Sequence, residues 1–154
     1  MDLYLMQHGV AVPEEEDPER PLSEAGQEGV QKVVERARAA GVRIDLCLHS
    51  GKRRAEQTAL ALAIGLDIPQ VRLRDGLNPS DEVGPFAQGL QDEVAGSIAV
   101  VGHLPFLDRL ASLLVAGDES SQVVRFQNAG LVKLVPKKDA EGCSVAWALV
   151  PDLE

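Results

Sequence analysis

Three observations on the sequence predict an α/β fold, a three-layer α/β/α sandwich around a mostly parallel mixed sheet. Short apolar runs at residues 3–6, 44–48 and 97–101 lack the alternation of a half-wet strand, so each reads as a strand covered on both faces. Stretches of helical period separate them, as in βα units. Each run also stops at a polar junction, His8-Gly9, His49-Ser50-Gly51 or Gly102-His103, and in open α/β sheets ligands bind beyond such strand ends.

The first strand, from Leu3 to Met6, delivers Gln7-His8-Gly9, and residues 11–22 then form a long link. With Pro13, Pro18 and Pro21 beside the acidic run Glu14-Glu15-Glu16-Asp17, it is excluded from helix and sheet interiors. Links in βα units usually span about 2–6 residues, so one twice that length is functional or loose. Arg20 stands where the chain re-enters order and is placed to reach back over the strand end.

Ser23 caps a helix, Glu24 favours its dipole, and Val30, Val33, Val34 and Ala37 make its apolar face before Gly41 ends it. The strand at 44–48 leads through Ser50-Gly51 into a second helix, 52–64, with Ala55, Ala59, Leu62 and Ala63 as packing residues. Arg54 therefore falls in a first helical turn, where free N–H groups and the dipole attract phosphate. A short strand at 71–73, a loop through Asn78-Pro79-Ser80-Asp81 and a modest helix at 83–93 follow. After the strand at 97–101, residues 104–115 read as helix with Pro105 in its first turn. Asn128-Ala129-Gly130 precede strands at 131–135 and 143–149, whose short separation predicts an antiparallel pair.

The 154 residues read as one domain, 1–154, able to remove roughly 70% of its unfolded surface from water. Cys47 and Cys143 have neither disulfide-framework nor zinc-knuckle spacing, which suits a reducing cytoplasm. No basic leader precedes the first strand, and no apolar run approaches the ~20 residues of a membrane span. A formal charge of −9 argues against nucleic acid and anionic membranes as partners. An anionic substrate stays open, because local charge decides there and Lys52, Arg53 and Arg54 are consecutive.

In a mostly parallel sheet the junctions carrying Gln7-His8, Ser50 with Arg54, and His103 face one crevice. Two imidazoles, a guanidinium and a helix N-terminus describe a phosphoryl-transfer pocket in which a neutral histidine attacks phosphorus. Metal chemistry is the competing reading. Against it, the chain has three histidines, none in an i,i+4 pair, and His49 sits inside its strand in a packed or hydrogen-bonded role.

Leu5-Met6-Gln7-His8-Gly9, Arg20-Pro21-Leu22-Ser23-Glu24-Ala25-Gly26, Ser50-Gly51-Lys52-Arg53-Arg54-Ala55-Glu56-Gln57-Thr58 and Val101-Gly102-His103-Leu104-Pro105 resemble the four ordered blocks of the histidine phosphatase superfamily. They look most like its small SixA-type phosphohistidine phosphatases. The resemblance implies a phosphoglycerate-mutase-like fold and a phosphatase working without metal or cofactor. By the same resemblance His8 is the nucleophile, Arg54 grips the phosphoryl oxygens, and His103 donates beside the nucleophile and carries the proton. Gln7, Gly9, Arg20 and Ser50 complete the phosphate- and substrate-binding set. Arg54 and the helix dipole favour neutral His8, and a bond from its other ring nitrogen to a backbone carbonyl would select the tautomer.

The chain departs from the signature at position 7, where Gln replaces the Arg of Arg-His-Gly and a charged fork becomes a neutral amide. Arg53, Lys52 and Arg20 are the nearby cations in sequence. The implied substrate is phosphohistidine on a phosphotransfer domain, a leaving group that needs little acid assistance. A broad small-molecule phosphomonoesterase is the alternative if Asp81 or Glu82 serves as an acid, and a non-catalytic phosphohistidine-binding module is the other. The oligomeric state is not indicated by the sequence.

Overall fold

The structure is a computed structural model and describes residues 1–153. In chain order its elements are β1 (Asp2–Gln7), α1 (Glu24–Ala39), β2 (Leu46–His49), α2 (Arg53–Leu66), β3 (Gln70–Leu73), α3 (Val83–Leu90), β4 (Ser97–Gly102), α4 (Phe106–Ala116), β5 (Leu131–Pro136) and β6 (Cys143–Leu149). The strands form one sheet in the order β3-β2-β4-β1-β5-β6. β3, β2, β4 and β1 run parallel to their neighbours, while β5 pairs antiparallel with β1 and with β6.

Successive side chains on a strand point to opposite faces, which explains why β1 is apolar without alternation. Tyr4 and Met6 enter a core against α1 and α2, with Val30, Val33, Val34, Ala59 and Leu62. Leu3 and Leu5 enter a second core on the other face, against Phe86 and Leu90 of α3 and Phe106, Leu107 and Leu110 of α4. Each such side chain, fully buried, contributes roughly 1.5–3 kcal/mol. Two helical layers on one sheet are the three-layer architecture the sequence predicts.

Ser23 caps α1 as expected, its Oγ accepting from the Gly26 N–H at 3.0 Å. Gly26 is needed for a different reason: a Cβ there would lie 1.9 Å from the Val10 carbonyl oxygen. The loop after β1 therefore rests directly on the α1 backbone. Cys47 and Cys143 are free thiols, and burial pushes the Cys47 thiol up to about 12. Among the described residues no helix is long and apolar enough to cross a membrane.

The helix predicted over 104–115 starts later. Pro105 precedes α4 as its N-cap, in a cis peptide with Leu104, and its carbonyl accepts from Arg109 N at 3.0 Å. Pro105 thus lies just outside the first turn, as the residue whose carbonyl accepts from the N–H four positions on. β2 begins at Leu46, two residues after the predicted start, and ends on His49.

Candidate active site

β1, β2 and β4 run parallel, so their carboxyl ends lie side by side and three junctions open into one crevice. His8 follows β1, its N–H donating to Gly102 O at 3.1 Å. Its Nδ1 lies 2.6 Å from Gly9 O. A carbonyl only accepts, so Nδ1 carries the proton and the lone pair sits on Nε2, the tautomer expected from sequence. Arg54 Nε donates to that Nε2 at 3.4 Å. The base of the loop is held by Thr58: Gly9 N donates to Thr58 Oγ1 at 3.1 Å, and Thr58 Oγ1 donates to Arg54 O at 2.8 Å.

His103 lies across from His8, ring centroids 5.0 Å apart, and shares a 2.6 Å hydrogen bond with Ser50 Oγ through Nε2. Its Nδ1 is buried and has no partner. His49, by contrast, is 5% exposed and its Nδ1 accepts from Gly51 N, the hydrogen-bonded role expected of it.

Arg20 is brought in by a strained turn. Its φ of 49° is in the left-handed region, which costs a non-glycine residue on the order of 1 kcal/mol. Surrounding bonds impose it: Val12 N to Pro21 O at 2.8 Å, Leu22 N to Gln57 Oε1 at 2.7 Å, and Arg20 Nε to Val12 O at 3.2 Å. The long link is therefore strapped down, with an antiparallel bridge between Ala11 and Leu22 at its neck.

Burial holds the His8 imidazole below its ordinary value of 6.5; the Gly9 carbonyl opposes this, while Arg54 and Arg20 add to it. Sequence reasoning credited Arg54 and the helix dipole, and the larger cause is desolvation. His103 is pushed further, to about 3, by burial first and then by His8, Arg54 and Lys52. The expectation that His103 carries a proton is thus corrected: low exposure first, and then His8, Arg54 and Lys52, keep it neutral.

A titration follows. Nitrogen-15 NMR of the imidazoles should give a His8 midpoint below 6.5, moving upward in Arg54→Gln as a positive neighbour is removed. In the unfolded chain both histidines take up protons near 6.5, whereas the folded chain resists until lower pH. The unfolded state then binds more protons, so their contribution to stability falls as pH drops from about 6.5 toward 3.

Gln7 ends β1 with its amide Oε1 buried and unpartnered. Two further residues were not singled out by sequence. Asn128 Nδ2 donates to His8 O at 3.0 Å, and Ala129 N donates to Gln7 O at 2.9 Å, so the segment before β5 is fastened to the catalytic strand end. Thr58 and Gln57 lay inside a quoted motif; Asn128 carried no local signal, because its partner is 120 residues away. Asp81 is turned to its own loop, its Oδ2 accepting from Asn78 N at 2.9 Å. Among the described residues no group of three or more His, Cys, Asp or Glu side chains is arranged to hold a metal ion.

A parallel sheet edge carrying two neutral imidazoles, two guanidiniums and a helix N-terminus defines a class, that of α/β proteins whose crevice suits phosphoryl groups. The family model described as histidine phosphatase superfamily (branch 1) matches residues 3–81, and the chain belongs to that superfamily. It is 30% identical over 140 residues to an uncharacterized protein of Picosynechococcus, covering 87% of this chain and 84% of that one. It is 29% identical over 123 residues to the phosphohistidine phosphatase SixA of Escherichia coli K12, covering 77% and 76% respectively. The structure of the protein histidine phosphatase SixA complexed with tungstate superposes with a TM-score of 0.84 at 25% identity, over 98% of this chain and 97% of that one. The α-ribazole phosphatase of Shigella flexneri shares the fold alone, with a TM-score of 0.73 at 18% identity over 94% and 95% of the two chains. The chain is a phosphatase-family hydrolase by this membership.

Proposed function

We propose that this chain removes phosphate from phosphohistidine on phosphotransfer proteins through a transient phosphate on His8. The observation that carries the reading is the 2.6 Å contact of His8 Nδ1 with Gly9 O, which leaves the lone pair on Nε2, where the 3.4 Å hydrogen bond from Arg54 Nε is long enough to give way to a phosphoryl group. In the first step that lone pair forms a bond to phosphorus as the bond from phosphorus to the donor imidazole breaks; the departing nitrogen takes the electron pair and picks up a proton from solvent. In the second, water attacks the same phosphorus and gives up a proton to bulk water as the bond from phosphorus to Nε2 breaks, its electron pair returning to Nε2. Arg54, Arg20 and the N-terminus of α2 offset the charge on the equatorial oxygens. A bound phosphate dianion reverses the electrostatics at His103 and raises its proton affinity, so it then donates to a phosphoryl oxygen with Ser50.

The leaving group separates this reading from a phosphomonoesterase. An alkoxide needs a strong acid, and the carboxylate of Asp81 is committed to Asn78, whereas an imidazole departs easily. A phosphohistidine-bearing phosphotransfer domain should therefore be dephosphorylated with kcat/KM at least about tenfold above that for sugar phosphates. Equal or faster turnover of sugar phosphates overturns the substrate assignment. Retained binding of the phosphoprotein with no turnover would instead make the chain a binding module.

A further inference from the structure

The lone pair on His8 Nε2 depends on one carbonyl, that of Gly9, so whatever fixes Gly9 fixes the tautomer. Two helices do so from different directions. A Cβ on Gly9 would stand 2.8 Å from Val30 Cγ2, 2.9 Å from Gly26 O and 3.1 Å from Leu22 Cδ2, so the residue lies hard against α1 and the end of the strap before it. That contact sets where Gly9 sits. Packing of this kind is non-directional, and by itself it leaves open which way the peptide between His8 and Gly9 faces.

Direction comes from Thr58, which is fully buried on α2. Its Oγ1 donates to Arg54 O at 2.8 Å, and because a hydroxyl has one proton, only its lone pairs are left to face Gly9 N, which donates to it at 3.1 Å. A helical threonine bonding the carbonyl four residues back is commonplace. The second bond sets this one apart, because it reaches 49 residues along the chain to the neighbour of His8. Arg54 O keeps a partner if the hydroxyl is lost, since in the regular geometry of α2 it also accepts from the Thr58 N–H. Gly9 N–H is the group left buried and unpaired, and its peptide then gains by turning toward another acceptor.

We propose that Thr58 is a positioning residue for His8: its hydroxyl, oriented by Arg54 O, fixes the Gly9 peptide so that Gly9 O faces His8 Nδ1 and the lone pair stays on Nε2. This rests on the reading of His8 as the attacking group. The same hydroxyl ties the loop after β1 to the backbone of Arg54, whose Nε lies 3.4 Å from His8 Nε2, so the attacking atom and the anion donor keep one spacing. Thr58 itself touches no substrate. Loss of its hydroxyl therefore slows the chemical step without weakening capture of the anion.

Two pairs of full-length proteins isolate the hydroxyl. Wild type against Thr58→Val removes it at nearly constant volume, and Thr58→Ser against Thr58→Ala removes it with the methyl absent from both, so a packing defect does not pass for a lost hydrogen bond. Circular dichroism checks that each variant is folded. Nitrogen-15 NMR without substrate should show His8 protonated at Nδ1 in the wild type and Thr58→Ser, with the Nε2–H form appearing in Thr58→Val and Thr58→Ala. Within each pair kcat for a phosphohistidine-bearing domain should fall about tenfold or more, while KM and the affinity for tungstate, a phosphate mimic, stay within about threefold. An unchanged His8 tautomer, an unchanged kcat, or a loss in Thr58→Ser equal to that in Thr58→Ala overturns the inference while leaving the phosphoryl site intact. A wild type that binds tungstate but turns over no phosphohistidine overturns the proposed function instead, and the tautomer, read without substrate, still decides whether Thr58 positions His8.

Discussion

His8→Ala should lower kcat/KM toward a phosphohistidine-bearing domain by about 10⁴-fold or more, and rapid alkaline quench, which preserves phosphohistidine, should recover no alkali-stable, acid-labile phosphate on the variant. The size follows from the loss of the attacking atom itself. Arg54 and the α2 N-terminus would still hold the phosphoryl group, so binding of tungstate should persist within about tenfold, separating chemistry from affinity. The residue is partly buried beside His103 and follows β1, outside the sheet ladder. A variant that retains turnover, or that still forms the acid-labile species, would place the covalent phosphate elsewhere.

Gly26→Val has the largest expected effect on folding. An added Cβ would stand 1.9 Å from Val10 O and 2.9 Å from Val10 C, and both are backbone atoms that cannot rotate aside. That carbonyl is already held by Ser23, whose N–H donates to it at 2.9 Å and whose Oγ donates at 3.1 Å. Relief requires either α1 or the loop after His8 to move, at a cost of about 3 kcal/mol or more. Helix propensity pulls the other way for Gly26→Ala by about 1 kcal/mol, and the clash exceeds it. Gly29 provides the control on the same helix: a Cβ there meets Pro151 and Ala129 at 3.7 and 3.9 Å, ordinary contact, so Gly29→Ala should stabilise by about 0.5–1 kcal/mol. Urea unfolding that ranks the two alanine variants equally would refute the close approach. Because Val10 is two residues from His8, Gly26→Ala should also lower kcat more than it lowers global stability would explain.

The superfamily membership and the phosphoryl chemistry have different supports. Membership rests on the match over residues 3–81 and on relatives covering most of the chain. The chemistry rests on local geometry, above all a tautomer selected by a single carbonyl. Fold alone decides neither substrate, since an α-ribazole phosphatase shares it.

Much of this was legible in the sequence because it is local. Apolar runs without alternation gave strands buried on both faces, and Ser23 gave the start of α1 through a bond spanning three residues. His8, Arg54 and His103 were legible as ends of parallel strands, whose geometry brings them together whatever the side chains between. Pro105 was misplaced because proline in the first turn and proline at the N-cap next to it look alike in sequence. The proton on His103 was misjudged for a deeper reason, since burial is a property of the assembled crevice and outweighs any neighbour legible in the chain.

The sequence by itself determined the alternation of strands and helices and the three junctions, which follow from spacing and residue type, while the departure at Gln7 shows only against the family signature that the sequence resembles. Only the tertiary structure decided the neutrality of His103, the strained path that delivers Arg20 and the placing of Asn128 beside His8, 120 positions away. Those depend on desolvation and on hydrogen bonds between distant segments, which arise when the chain closes on itself.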